Sequence, residues 1–148
     1  MNPMTQLDAL ACELGAFIDL LEQESAALAG NQADNLAPLI QQRECANLRL
    51  TRLWQALALD MGLATNASLT ALRERCQPMA PEHWQRIEEK TRHADWMNRL
   101  NSRLIDEQLV RTQLAIQVLR NAAGGRTLYG ADGRVSESLN HNRSIDSA

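Results

Sequence analysis

The sequence predicts an all-α fold, an antiparallel helical hairpin packed with a long C-terminal helix as a coiled-coil-like helical bundle. Three observations carry this. Leu7, Leu14, Leu21 and Leu28 recur at intervals of seven residues, the repeat of a coiled-coil seam. Residues 82–120 form a run of 39 positions without Gly or Pro. Leu and Ala supply most of the 45% hydrophobic content while aromatics are only 3%, a composition that favours helices over sheets. The length of 148 residues suits one domain. It is expected over 1–134, followed by a flexible polar tail over 135–148.

The first helix is expected over 5–29, with Leu10 and Phe17 filling the intermediate positions of the Leu repeat and Glu24 interrupting it. Gly30-Asn31 supplies a stop, because both residue types tolerate positive φ. A second helix is expected over 34–61, capped by Asp34, with Pro38 near its first turn, where the missing donor costs least. Leu36, Ile40, Leu50, Trp54, Leu57 and Met61 lie near one face, broken midway by Arg43 and Asn47. The short connection makes the two helices antiparallel neighbours.

Gly62 to Pro81 breaks the pattern, with a short helix around Leu69, Leu72 and Cys76 capped by Asn66 or Ser68. Pro81-Glu82 opens the long helix, with an acid in its first turn. It is either one rod or bent near Asn98-Asn101-Ser102. Its inner stripe reads Trp84, Ile87, Thr91, Ala94, Met97, Asn101 and Leu104. Beyond Leu100 the apolar residues spread around the helix as Leu104, Ile105, Leu109, Leu114, Ile116, Val118 and Leu119. A helix apolar over much of its circumference needs burial on more than one side, and a chain this small does not obviously supply it. Gly124-Gly125 is read as the helix stop and Asp132-Gly133 as a turn.

Charge and motifs exclude more than they assign. The net charge is -3, without the basic footprint of a nucleic-acid binder. Arg99, Arg103 and Arg111 share the long helix with Asp95, Asp106 and Glu107, which neutralise their field. Residues 1–30 hold five acids and no Lys or Arg, so the first helix is expected to pair with arginines of the second. Cys12, Cys45 and Cys76 are read as buried thiols within helices. His83, His93 and His141 form no His-x-x-x-His pattern, and Glu89 with His93 makes two ligands where a zinc site wants three or four. The glycines near 124–133 lack the Lys-Ser/Thr ending of a phosphate loop. No nucleophile motif appears. The expectation is a protein without catalysis, metal or cofactor, lacking a secretory signal or membrane-inserted segment, and cytoplasmic.

Four stretches then carry a resemblance: Asn98-Arg99-Leu100-Asn101, Leu104-Ile105-Asp106-Glu107-Gln108, Gln113 to Leu119, and Thr127-Leu128-Tyr129-Gly130-Ala131-Asp132-Gly133. Together with Trp84 to Thr91 they resemble the FlgN-type flagellar synthesis protein over about residues 82–134. The N-terminal half is similar only in its hairpin pattern. The resemblance implies a cytosolic export chaperone for the hook–filament junction proteins, the first and third hook-associated proteins, with no cofactor. It implies that residues from about Asn98 to Leu119 bind helical terminal segments of those clients. It also implies that the region around Tyr129 contacts the soluble escort component of the export apparatus. Within the client-binding stretch, Leu104, Leu109, Leu114, Ile116 and Leu119 are the apolar candidates, with Arg103 and Arg111 at the rim. The alternative is a structural or scaffold bundle that self-associates without a client.

Overall fold

The computed structural model describes residues 2–127, which fold as four helices: α1 (Pro3–Ala29), α2 (Ala33–Asp60), α3 (Leu69–Cys76) and α4 (Pro81–Thr127). Two units separate, residues 1–105 and residues 106–148.

Local chemistry sets the helix ends. Asn2 caps α1 by accepting from the Met4 amide at 3.1 Å, and Pro3 occupies the first turn, where its lost donor is harmless. At the other end Gly30 donates to Ala26 O at 2.9 Å, and Asn31 takes φ 52°, as its side-chain type permits. α2 begins one residue before Asp34, so Asp34 lies in its first turn instead of capping it. There its charge complements the helix dipole. Pro38 falls inside α2. Ser68 is the cap of α3, accepting from the Ala71 amide at 3.1 Å.

Polar pairs fix the helix directions. Gln6 meets Asp60, Glu13 meets Arg49 and Glu24 meets Arg43, so rising numbers in α1 meet falling numbers in α2. The hairpin is antiparallel, and the acidic α1 does find the arginines of α2. Asp8 meets Arg86 and Glu22 approaches His93. The N-terminal part of α4 therefore runs parallel to α1.

The core of residues 1–105 has two parts. Leu7, Leu10, Ala11, Leu14, Leu57, Ala58, Leu72, Cys76, Trp84 and Ile87 form the larger cluster. Ile18, Leu21, Ala94 and Met97 form the second, with Phe17 and Leu100 half-buried against it. The stripe read on α4 holds throughout: Trp84, Ile87, Ala94, Met97 and Asn101 are buried, Thr91 and Leu104 half-buried. On α1 the stripe shifts by one residue midway, because Ile18 is buried and Phe17 only partly so. The leucine heptad itself stays inside, with Leu7, Leu14, Leu21 and Leu28 all buried, so the shift is confined to the intermediate position. Leu50 and Trp54 are also half-buried, and Trp54 donates its indole N–H to Ala67 O at 3.0 Å.

Two expectations are corrected. Cys76 is buried, but Cys12 and Cys45 are exposed. Position 12 falls beside the inner pair Leu10 and Ala11, about 100° further round the helix, and Cys45 is likewise one residue from buried Ala46. Gly124-Gly125 does not stop α4, which continues to Thr127. Glycine lowers helix propensity by about 1 kcal/mol but clashes with nothing, so it weakens a helix without forbidding it. No break in helical structure occurs at Asn98–Ser102. The expected tail, 135–148, lies outside the described residues.

Candidate functional site

The inner face of α4 ends in a polar lock. Asn101 is buried and donates its side-chain amide to the Leu21 carbonyl at 2.9 Å, eighty residues away in sequence. Nearby, Glu24 is 3% exposed and its Oε2 stands 3.4 Å from Arg43 Nε. Neither of those two atoms has a hydrogen bond. Arg43 also reaches Asn98 Oδ1 at 3.4 Å, beside a polar hollow of about 250 Å³ lined by Phe17, Arg43, Glu44, Asn47 and Asn98. Burial pushes the Glu24 carboxyl above its ordinary range, and the facing guanidinium opposes that only in part. The residues that interrupted the apolar stripes of α1 and α2 thus meet each other.

Beyond Asn101 the chemistry changes. From 102 to 124 no residue is buried. Leu109 is 55% exposed, Leu114 56%, Ile116 43% and Leu119 67%. Ile105, Val110 and Val118 are exposed as well. Large apolar side chains scattered singly on a surface mean little, but this many within four turns of one helix are an unusual concentration, which makes the stretch the candidate site. Leu104 is half-buried, whereas Arg103 and Arg111 are exposed. Of the residues singled out from sequence, α4 therefore carries Leu104, Leu109, Leu114, Ile116, Leu119, Arg103 and Arg111 in one stretch. Tyr129 lies outside the described residues. Val110 was missed, although its i, i+4 spacing with Leu114 and Val118 is the signal that would have found it.

The residues weighed for metal chemistry separate. Glu89 accepts from Gln85 at 3.0 Å, while His93 faces Glu22 at 3.9 Å. Among the described residues no group of three His, Cys, Asp or Glu is placed to hold a metal. No described helix is long and apolar enough to cross a membrane. A more apolar groove of about 440 Å³ lies within residues 1–105, lined by Leu10, Leu14, Leu50, Trp54 and Thr91 among others. It offers no cluster of titratable groups.

The model of the FlgN protein family matches residues 1–137. The chain belongs to the FlgN family. Two relatives, each called flagella synthesis protein FlgN, come from Salmonella typhimurium and Salmonella typhi. Each is 46% identical over 57 residues, which is 38% of this chain and 40% of the relative. The aligned part thus spans well under half the length of these relatives. No solved structure matches significantly. The match to the FlgN family model takes in both the helical hairpin and α4, so the family spans the core and the exposed apolar surface together.

Proposed function

We propose that this FlgN-family chain is a cytosolic chaperone of flagellar type III export that binds the hook–filament junction proteins, prevents their premature assembly and delivers them for export. The clients are the first and third hook-associated proteins, and their helical terminal segments are the bound elements. One observation supports this most: the second half of α4 keeps Leu109, Leu114, Ile116 and Leu119 exposed, with no buried residue between 102 and 124. Client helical segments laid on its two sides, one over Leu109, Ile116 and Leu119 and one over Leu114, complete the burial α4 lacks, in the helix-in-groove or coiled-coil manner.

Magnitudes are sufficient. Burying each such side chain contributes roughly 1.5–3 kcal/mol, and a micromolar complex needs about 8 kcal/mol net of association costs. Three or four completed contacts with Leu104 at the near end supply much of this. Arg103 and Arg111 act at the rim, fixing orientation more than adding affinity. Residues 1–134 act as the chaperone domain and 135–148 as a polar tail. Tyr129 is the contact to the soluble escort of the export apparatus. Nothing in this function needs a cofactor, a metal, a nucleic acid or insertion into a membrane, and no bond is made or broken.

The test is the paired substitution Leu109→Asp and Ile116→Asp, assayed for junction-protein binding by calorimetry. Both side chains are exposed in the free chain, so the fold, followed by circular dichroism, is expected to survive. Binding is expected to be lost, because a contact would bury unpaired carboxylates. Undiminished affinity in a folded variant would move the site to the hairpin.

A further inference from the structure

The exposed apolar residues of α4 do not form one surface. Ile105, Leu109, Thr112, Ile116, Leu119 and Ala123 follow a strict 4-3-4-3-4 spacing, which is the a/d seam of a two-stranded coiled coil. Val110, Leu114 and Val118 lie on the opposite side, about 180° away at 100° per residue. A single occupant cannot cover both.

The positions flanking the seam say what covers it. On one flank stand Asp106, Gln113 and Arg120, spaced by seven, and on the other Gln108, Ala115 and Ala122. Neither Asp106 nor Arg120 has an intrachain ion pair among the described residues. In an antiparallel coiled coil each flank faces the same flank of its partner. Two copies of this helix placed so would set Asp106 opposite Arg120 of the second copy, Gln113 opposite its own equivalent, and Arg120 opposite Asp106 of the second copy. The same register stacks Leu109 on Leu119 of the second copy, Ile116 on Thr112, and Ile105 on Ala123. The second flank brings Ala115 against its equivalent, where the helices approach closely, and Gln108 against Ala122 of the second copy. A parallel pair fails the same check, since Arg120 would face Ala115 and Asp106 would face Asn101, with no opposite charges meeting.

We infer that this seam of α4 is a self-complementary interface, and that two copies of the chain pair antiparallel through residues 105–123 with reciprocal Asp106–Arg120 ion pairs. The pairing depends on the pattern alone. A further consequence rests on the client reading proposed above: self-pairing sheathes Leu109, Ile116 and Leu119 until a client displaces the second copy, while Val110, Leu114 and Val118 stay open.

Sedimentation equilibrium of the full chain, without client, tests the interface. The wild type is expected to pass from one copy to two with rising concentration. Arg120→Asp or Asp106→Arg alone turns both reciprocal attractions into repulsions, and dimerisation should weaken by about tenfold. The double variant Asp106→Arg, Arg120→Asp should recover it, and so should an equimolar mixture of the two single variants. A wild type that stays monomeric to about 0.5 mM, far above a micromolar dissociation constant, overturns the inference. So does a double variant no stronger than the singles. Client titration separates the consequence from the interface: apparent client affinity should fall as the chain's own concentration rises in the wild type, and fall less in Arg120→Asp. A dimer that follows the charge rules but leaves client affinity independent of concentration overturns the sheathing alone, and loss of client binding in Leu109→Asp, Ile116→Asp remains a separate outcome.

Discussion

Glu24 shows how a single side chain is set against its surroundings. It sits where the leucine repeat of α1 asks for an apolar residue, is nearly fully buried, and faces Arg43 at 3.4 Å without a hydrogen bond between them. Desolvation outweighs the facing charge, so its carboxyl titrates above the ordinary value of 4.5. The folded chain therefore holds the Glu24 proton more tightly than the unfolded chain does, and the stability this contributes is full below the unfolded value. As pH rises through 4.5 and on through the raised folded value, that contribution is lost. Glu24→Gln should remove this slope: urea midpoints of wild type and variant, measured from pH 4 to pH 8, should diverge in favour of the variant as pH rises. Parallel curves would show that Arg43 fully compensates the buried charge. Leu21, fully buried in the second core cluster, gives the complementary case. Leu21→Ala should lower stability by about 2–5 kcal/mol, and a loss under about 0.5 kcal/mol in chemical denaturation would place it at the surface. The leucine at this position was legible because its repeat is long and regular. Cys12 and Cys45 were not, because a small apolar residue next to a stripe has no periodicity of its own.

At the scale of elements, the sequence foretold helix existence far better than helix edges. α3 was legible from Pro81 and a cap at Asn66 or Ser68, of which the structure uses Ser68, and the antiparallel hairpin from the short Gly30-Asn31 connection. The C-terminal extent of α4 was not, since two adjacent glycines read as a stop while the helix runs on to Thr127. Propensity is a local preference of about 1 kcal/mol per glycine, and it yields when neighbouring turns already hold the helix. A Cβ at Gly124 would meet no atom within 4 Å. Gly124→Ala should therefore strengthen the helix end by about 0.5–1 kcal/mol and increase ellipticity at 222 nm, whereas unchanged ellipticity would mean that the helix frays before this residue. The apolar spread beyond Leu100 was legible as a surplus. Its division into two opposite stripes needs Val110, which is absent from the apolar residues read beyond Leu100.

For the whole molecule, the division of labour follows from where burial stops. Residues 1–105 satisfy their own apolar stripes with two core clusters, and the polar lock of Asn101, Glu24 and Arg43 closes that region. Residues after it hold exposed leucine, isoleucine and valine side chains that the chain itself leaves uncovered among the described residues. In a FlgN-family chain the partner proposed is a junction protein, and the candidate residues Leu104, Leu109, Leu114, Ile116 and Leu119 were named from an apolar surplus of which all but the half-buried Leu104 are exposed. Which of them a client covers at once is limited by helical phase, which sets Leu114 opposite Leu109, Ile116 and Leu119. Hydrogen–deuterium exchange of the chain with and without the first hook-associated protein measures this most directly. The account predicts slowed amide exchange confined to residues of about 104–119 when the client is added. Slowing confined to the hairpin of residues 3–60, with 104–119 unchanged, would contradict it.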